Sequence, residues 1–360
     1  MRILHVVGAR PNFMKVAPVL HALGKRAGVA QTLVHTGQHY DVNMSDVFFD
    51  QLGIPAPDVN LGVGAGSHAR QTAEIISRFE PVVQDRKPDW VLVYGDVNST
   101  VAAALVCAKL LIKVGHVEAG LRSFDRTMPE EVNRLVTDQL ADLLFTHSED
   151  ANVNLRREGI PVERIHRVGN VMIDSLLRLL PAAGKCNVSG IPERYALVTL
   201  HRPSNVDSSA KLKAILDCLV EVNRELAIVF PVHPRTRQRL QEFGLNASQV
   251  RILDPLPYID FLALQKRATL VITDSGGIQE ETTFLGVPCL TLRENTERPI
   301  TVSVGSNVLV GQDTHKLRAE MQRILRGDAK PSAVPPLWDG QASERIADVL
   351  LAHQSRCLGE

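Results

Sequence analysis

The chain of 360 residues carries 40 Lys and Arg against 40 Asp and Glu, so its formal charge at neutral pH is zero. That length exceeds one ordinary core and suits two domains. Balanced charge without a polybasic run argues against nucleic acid or an anionic membrane as the main partner, and no apolar stretch reaches the ~20 residues of a membrane span. The start, MRILHVVGARPNFMK, reads as a strand and a loop, too short and too polar inside for a signal peptide. Five scattered cysteines, Cys107, Cys186, Cys218, Cys289 and Cys357, read as reduced packing residues, which points to the cytoplasm.

In chain order, RILHVVG, QTLVHTG, DWVLVYGD, KVGHVEAG, LLFTHS and RIHRVGN read as strands, separated by helical stretches such as FMKVAPVLHALGKR and TVAAALVCAKLL. The strands are continuously apolar, as expected for a parallel sheet covered on both faces. LLPAAGKCNVSGIPER follows, rich in Pro, Gly and small residues, and reads as a linker. The pattern then restarts with YALVTLHR, LAIVFPVHPR, VRILDP, TLVITDSGG, VPCLTL and NVLVG. The tail ASERIADVLLAHQSR is a last amphipathic helix. The fold class is therefore α/β, with two doubly wound domains facing each other.

Ligands of open α/β sheets collect outside the carboxyl ends of the strands. Here those positions are unusually polar: Arg10, Gln38 and His39, Asp96, Glu118, His201 and Arg202, His233 and Arg235, and Asp274 to Gly277. In LVITDSGGIQEE, Ser275, Gly276 and Gly277 would present bare amides at a helix start, suited to a phosphate, with Glu281 one turn in to accept from a ribose diol. An ordinary strand-to-helix turn with an acidic first turn is the structural alternative. Arg10 and Lys15 supply cations for a diphosphate, or are solvated charges of a loop. LGVGAGSHARQ reads as a connecting loop. No metal is expected, since the twelve histidines show no ligand spacing, and no GxSxG elbow is present.

The acids remain. Asp96 can cap the helix that follows it, and Glu130 and Glu131 can favour a first turn after Pro129. Glu118 ends KVGHV, where a carboxylate is costly unless paired or used; Arg122, Arg126 and Arg134 are its candidate partners.

GARPNFMKVAPV, TGQHYD, VYGDVNST, GHVEAGLRS, MPEEVNR, VTLHRPSN, FPVHPRT and TDSGGIQEE, in this order from residue 1 to about 310, resemble the non-hydrolysing UDP-N-acetylglucosamine 2-epimerases. The resemblance implies two Rossmann-like domains in the glycosyltransferase-B arrangement, spanning 1–170 and 171–342. The substrate would lie in the cleft between them, and a helix at about 343–360 would pack back on the first. It implies an isomerase that interconverts UDP-N-acetylglucosamine and UDP-N-acetylmannosamine without a cofactor, usually as a homodimer. On the same basis Asp96, Glu118, Glu130 and His201 fall on catalytic positions, with the choice between Glu130 and Glu131 open because the preceding loop is short. Arg10, Lys15, Arg202, His233, Phe261, Ser275, Gly276, Gly277 and Glu281 fall to UDP-sugar binding. Gln38, Arg70, Arg202 and His233 match positions that some bacterial members use for a second, activating UDP-sugar. Asp41 stands where regulated members often carry Gln. Asn12 replaces a common Glu, as in the branch that acts on a UDP-diacetamido uronic acid.

Overall fold

The computed structural model describes residues 1–38 and 51–358, save for the side chains of residues 10 and 355–358. Two compact units divide the chain, residues 1–177 with 336–360 and residues 178–335. The joints at 177/178 and 335/336 lie several residues from the 170/171 and 342/343 of the sequence-based division.

Unit 1 holds β1 (Arg2–Val7), β2 (Ala30–His35), β3 (Val59–Asn60), β4 (Trp90–Tyr94), β5 (Lys113–Val117), β6 (Leu143–Thr146) and β7 (Ile165–Arg167). They form one parallel sheet in the order β3-β2-β1-β4-β5-β6-β7. Its helices include α1 (Arg10–Gly24), α2 (His68–Arg86), α3 (Asn98–Lys109), α4 (Pro129–Leu140) and α5 (Val171–Ala183). Every residue of β4 is buried, the signature of a strand covered on both faces. The apolar core beside it joins Leu4, Val6, Val91, Val93 and Val114 of the sheet to Ile75, Phe79 and Val83 of α2 and Ala102 to Ala104 of α3. Pro129 sits in the first turn of α4, where its missing N–H costs nothing.

Unit 2 holds β8 (Tyr195–Thr199), β9 (Ala227–Pro231), β10 (Arg251–Leu253), β11 (Leu270–Thr273), β12 (Cys289–Thr291) and β13 (Asn307–Leu309). Its sheet is also parallel, in the order β10-β9-β8-β11-β12-β13. Residues of β8 alternate between two cores. Ala196 and Val198 pack with the helices at 209–222 and 314–325, while Tyr195 and Leu197 pack with Leu264 of α6 (Tyr258–Arg267). After β11 comes α7 (Gly276–Leu285).

The last helix, α8 (Ala342–Leu358), belongs to unit 1. Asp174 of α5 caps it, accepting from the amides of Ala342 and Ser343 at 3.2 and 2.8 Å and from the Ser343 hydroxyl at 2.7 Å. Ile346, Ala347 and Leu350 are fully buried, and Lys25 and Arg26 at the end of α1 pair with Glu344 and Asp348. The Trp338 indole, also buried, donates to the His147 carbonyl at 3.0 Å. Full burial of Ile346 and Leu350 contributes about 1.5–3 kcal/mol each.

Strand order reverses beside β1 in unit 1 and beside β8 in unit 2. The carboxyl ends of β1 and β4, and of β8 and β11, are therefore the candidate binding positions of the two sheets.

Candidate active site

In unit 1 the two acids that follow neighbouring strands take different environments. Glu118, directly after β5, is buried and has φ of 72°, a left-handed backbone that costs a non-glycine residue about 1–2 kcal/mol. Its amide and that of Ala119 both donate to the Phe145 carbonyl, at 3.1 and 3.0 Å. Its side chain pairs with Lys15 of α1, 7% exposed against 4% for the carboxylate. Lys15 is thus a partner of Glu118 outside the candidates named from the sequence. Arg122 binds Asp138 and Glu158, and Arg134 binds Asp96 and Glu131. Lys15 reaches the site because the first turns of α1 lie beside the turn after β4, a neighbourhood that sequence spacing does not reveal.

Asp96 follows β4 and accepts from Arg134 Nε at 3.0 Å and Nη2 at 2.9 Å; the N-cap of α3 is Val97. Asn12 joins this region to β1. Its Oδ1 accepts from the Gly8 and Ala9 amides, both at 3.1 Å, and its Nδ2 donates to the Tyr94 carbonyl at 2.8 Å. Arg10 opens α1, and its side chain lies outside the described residues, as do His39 and Asp41.

Glu130 and Glu131 separate cleanly. Glu131 is buried, and its carboxylate accepts from the Ser123 amide (2.8 Å), the Ser123 hydroxyl (2.9 Å), the Phe124 amide (3.0 Å) and Arg134 Nη1 (2.6 Å). Anchored this way, the loop carries Phe124 at φ of 59° with the ring exposed. Glu130 is half-buried and makes no hydrogen bond or ion pair among the described residues. Gln38, buried after β2, accepts from the Ser99 amide and hydroxyl at 3.2 and 2.8 Å. Arg70 sits on the surface of α2, paired with Glu74 at 2.9 Å.

In unit 2, Asp274 after β11 organises the switch point. It accepts from the His201 amide at 3.0 Å, the Arg202 amide at 2.9 Å and Asn205 Nδ2 at 3.1 Å, and pairs with His201 Nδ1 at 2.8 Å. Burial pushes the Asp274 carboxyl up, but the hydrogen bonds and charge of His201, with Arg202 and Asn205, more than offset it and hold it below the ordinary carboxylate range. Arg202 Nε donates to the Asp274 carbonyl at 3.0 Å. The His233 ring stands 5.5 Å from that of His201, and its Nδ1 accepts from the Arg235 amide at 3.2 Å, capping the helix at 234–242.

Ser275 is the N-cap of α7, with no side chain bonded across the turn, so the first-turn amides of Gly276 and Gly277 keep their donor capacity. A Cβ on Gly276 would lie 2.6 Å from Arg298 Nη1; that guanidinium also contacts Glu280 and Glu297, at 3.1 and 3.0 Å. Inside α7, Glu281 accepts from the Tyr258 hydroxyl at 2.7 Å through Oε1, while Oε2 is buried without a hydrogen bond. Burial pushes this carboxyl up to about 7 against the pull of the Tyr258 hydroxyl. Phe261 on α6 is half-buried against the core of Tyr195, Leu197 and Val271.

Each site thus gathers residues that the sequence singled out: Lys15, Asp96 and Glu118 in unit 1, and His201, Arg202, Ser275, Gly276, Gly277 and Glu281 in unit 2. Tyr258 and Arg298 join them as organisers, beside Arg134 and Asp274. From the sequence, Arg134 is a candidate partner of Glu118 and Asp274 stands among the polar residues that follow the strands.

Comparison with known proteins bears on both sites. A family model described as UDP-N-acetylglucosamine 2-epimerase matches residues 21–351. The UDP-N-acetylglucosamine 2-epimerase of Methanocaldococcus jannaschii is 43% identical over 364 residues, covering 97% of this chain and 99% of that protein. The UDP-2,3-diacetamido-2,3-dideoxy-D-glucuronate 2-epimerase of Pseudomonas aeruginosa is 42% identical over 353 residues, with 97% and 99% covered. The crystal structure of the M. jannaschii enzyme in complex with UDP-GlcNAc and UDP superposes with a TM-score of 0.91 over 98% of this chain and 100% of that one. With matches spanning almost its full length, this α/β chain belongs to the UDP-N-acetylglucosamine 2-epimerase family, a family of isomerases.

Proposed function

We propose that this protein inverts C2 of UDP-N-acetylglucosamine to give UDP-N-acetylmannosamine, through elimination of UDP and its re-addition. The observation that carries this reading is the pair of acids at neighbouring strand ends, Asp96 held by Arg134 and Glu118 held by Lys15 in a left-handed backbone. Such a conformation persists only where the surroundings impose it, and it clusters at sites of chemistry.

The C2 proton of the sugar is not adjacent to a carbonyl, so enolisation cannot remove it. Breaking the C1–O bond, with UDP leaving with the electron pair, builds positive charge at C1 and acidifies that proton. Loss of the proton to a carboxylate gives the C1=C2 glycal. Re-addition of UDP at C1, with a proton delivered to the opposite face of C2, completes the inversion. Carboxylates stabilise the oxocarbenium-like state, as in glycoside cleavage, and groups on both ring faces are required for proton exchange. Asp96, Glu118 and Glu130 are assigned to these tasks, while Glu131 anchors the 123–124 loop. In unit 2, His201 is oriented through Nδ1 by Asp274, which leaves Nε2 for the leaving group. Arg202 and the Ser275–Gly277 amides suit the diphosphate, and Glu281 suits the ribose diol. Arg10, His233 and Phe261 complete the nucleotide contacts by resemblance, which also supports a homodimer, a cytoplasmic location and an activating role for Gln38 and Arg70.

A second reading has its own support. The P. aeruginosa relative is named for a diacetamido uronate, and Asn12 follows that branch. Proton NMR in deuterated buffer tests both, with each UDP-sugar supplied alone. Loss of the C2 proton signal and appearance of the manno epimer without an acceptor is the expected result. Release of UDP and free sugar, or no exchange with either compound, would overturn the proposal.

A further inference from the structure

Behind the two acid-bearing turns of unit 1 lies a connected set of side chains that the reaction itself does not use. His116 is the fourth residue of β5, fully buried. Its Nε2 donates to the Gly95 carbonyl at 2.8 Å and its Nδ1 to Asp138 Oδ1 at 2.6 Å. Asp138 of α4, also fully buried, accepts through Oδ2 from the Gly120 amide at 3.1 Å and from Arg122 Nη2 at 2.7 Å. Arg122 donates to its neighbouring Leu121 carbonyl at 2.6 Å and binds Glu158 through both Nε and Nη2, at 2.7 and 2.5 Å. Burial pushes the Asp138 carboxyl up, but the charges and hydrogen bonds of His116 and Arg122 outweigh it and hold it below the ordinary range.

The backbone groups gripped at the inner end are informative. Gly95 immediately precedes Asp96, and Gly120 lies two residues after Glu118. All three of Gly95, Glu118 and Gly120 have positive φ, at 64°, 72° and 80°. The Gly95 amide donates to the Val117 carbonyl at 3.0 Å, so the two turns already touch through their backbones. One imidazole and one carboxylate then fix the Gly95 carbonyl relative to the Gly120 amide. A carboxylate misplaced by about 1 Å costs about 100-fold in rate, and groups that orient metal ligands from behind, a comparable arrangement, are typically worth about 10–100-fold.

We propose that His116, Asp138, Arg122 and Glu158 form a positioning network for the epimerisation, setting the separation of the Asp96 and Glu118 carboxylates. None of the four is a catalytic residue, since each acts through the backbone of the turns. The inference rests on the epimerase reading of the site.

The test compares the parent with Asp138→Asn, which keeps size but turns an acceptor into a donor facing the Gly120 amide and Arg122. The measurements are kcat, KM, C2 deuterium exchange, UDP affinity by calorimetry and thermal unfolding. The expected result is a loss of about 10–100-fold in kcat and in exchange, with KM and UDP affinity within about threefold of the parent. A purely structural role would lower the melting temperature and leave kcat of the folded fraction intact, which overturns the proposal. So does a parallel loss of UDP affinity. Glu158→Gln, at the outer end, decides the matter if Asp138→Asn does not fold: a kcat lowered about fivefold supports the network, and an unchanged kcat refutes it. A parent without C2 exchange removes the epimerase reading and the proposal together, whereas an exchanging parent with unaffected variants removes the network alone.

Discussion

Glu281 should make the stability of unit 2 depend on pH in a window where carboxylates ordinarily no longer titrate. Its carboxyl is fully enclosed and its proton is held up to about 7, against an ordinary value of 4.5. Below pH 4.5 the folded and unfolded chains both carry the proton, and the group adds no pH dependence. Between 4.5 and 7 the unfolded chain ionises while the folded one does not, so stability falls by about 1.4 kcal/mol per pH unit. Above 7 both states are ionised and the loss levels off at roughly 3 kcal/mol. Glu281→Gln retains an acceptor for the Tyr258 hydroxyl and cannot ionise, so its stability relative to the parent should rise by that amount between pH 4.5 and 8. Both tryptophans lie in unit 1. Unit 2 is therefore followed by hydrogen-exchange mass spectrometry on peptides from β8 and β11 across a urea series. Tyr258→Phe removes a hydrogen bond that pulls the carboxyl down, and should carry the upper edge of the window above 7. A parent-to-Glu281→Gln difference that stays constant across this range would refute the reasoning.

Lys15→Met removes the cation from a pair that is almost wholly enclosed. It should cost about 3–5 kcal/mol, a drop of roughly 6–20 °C in the unfolding temperature of a unit this size, read from tryptophan fluorescence. Glu130→Gln should abolish C2 exchange with an unchanged melting temperature. Glu131→Gln, by contrast, should lower the melting temperature by several degrees because a buried, fully bonded carboxylate is lost; exchange that survives Glu130→Gln would reverse the assignment. Gly276→Ala places a methyl 2.6 Å from Arg298 Nη1. UDP affinity should then fall at least tenfold by calorimetry, and the melting temperature should drop as well, since Arg298 must shift within its buried contacts to Glu280 and Glu297 and the turn no longer admits a phosphate.

Most strands were legible because their apolar runs are unbroken. β4 and β8 stand where DWVLVYGD and YALVTLHR placed them. β3 was not, since Val59 and Asn60 are two residues in a polar loop, assigned by their pairing with Val34 and His35. The polar residues after each strand marked both switch points, because strand ends are fixed by local pattern. What escaped was pairing at a distance. Lys15 and Glu118 are 103 positions apart, and only the packing of the first turns of α1 beside the turn after β4 brings them together. Choosing between Glu130 and Glu131 was likewise beyond spacing, since adjacent helical residues differ by about 100° in direction. That angle alone separates an anchor for Ser123 and Phe124 from a carboxylate left available.

The capping of α8 by Asp174 has a consequence for how the polypeptide assembles. Leading segments of a nascent protein ordinarily fold first as they leave the ribosome. Here the opening segment waits for Trp338 and α8, which are translated only after all of unit 2. A premature stop codon before residue 336 would spare every residue of unit 2, yet remove the helix that packs on α1 and on Trp90 of β4.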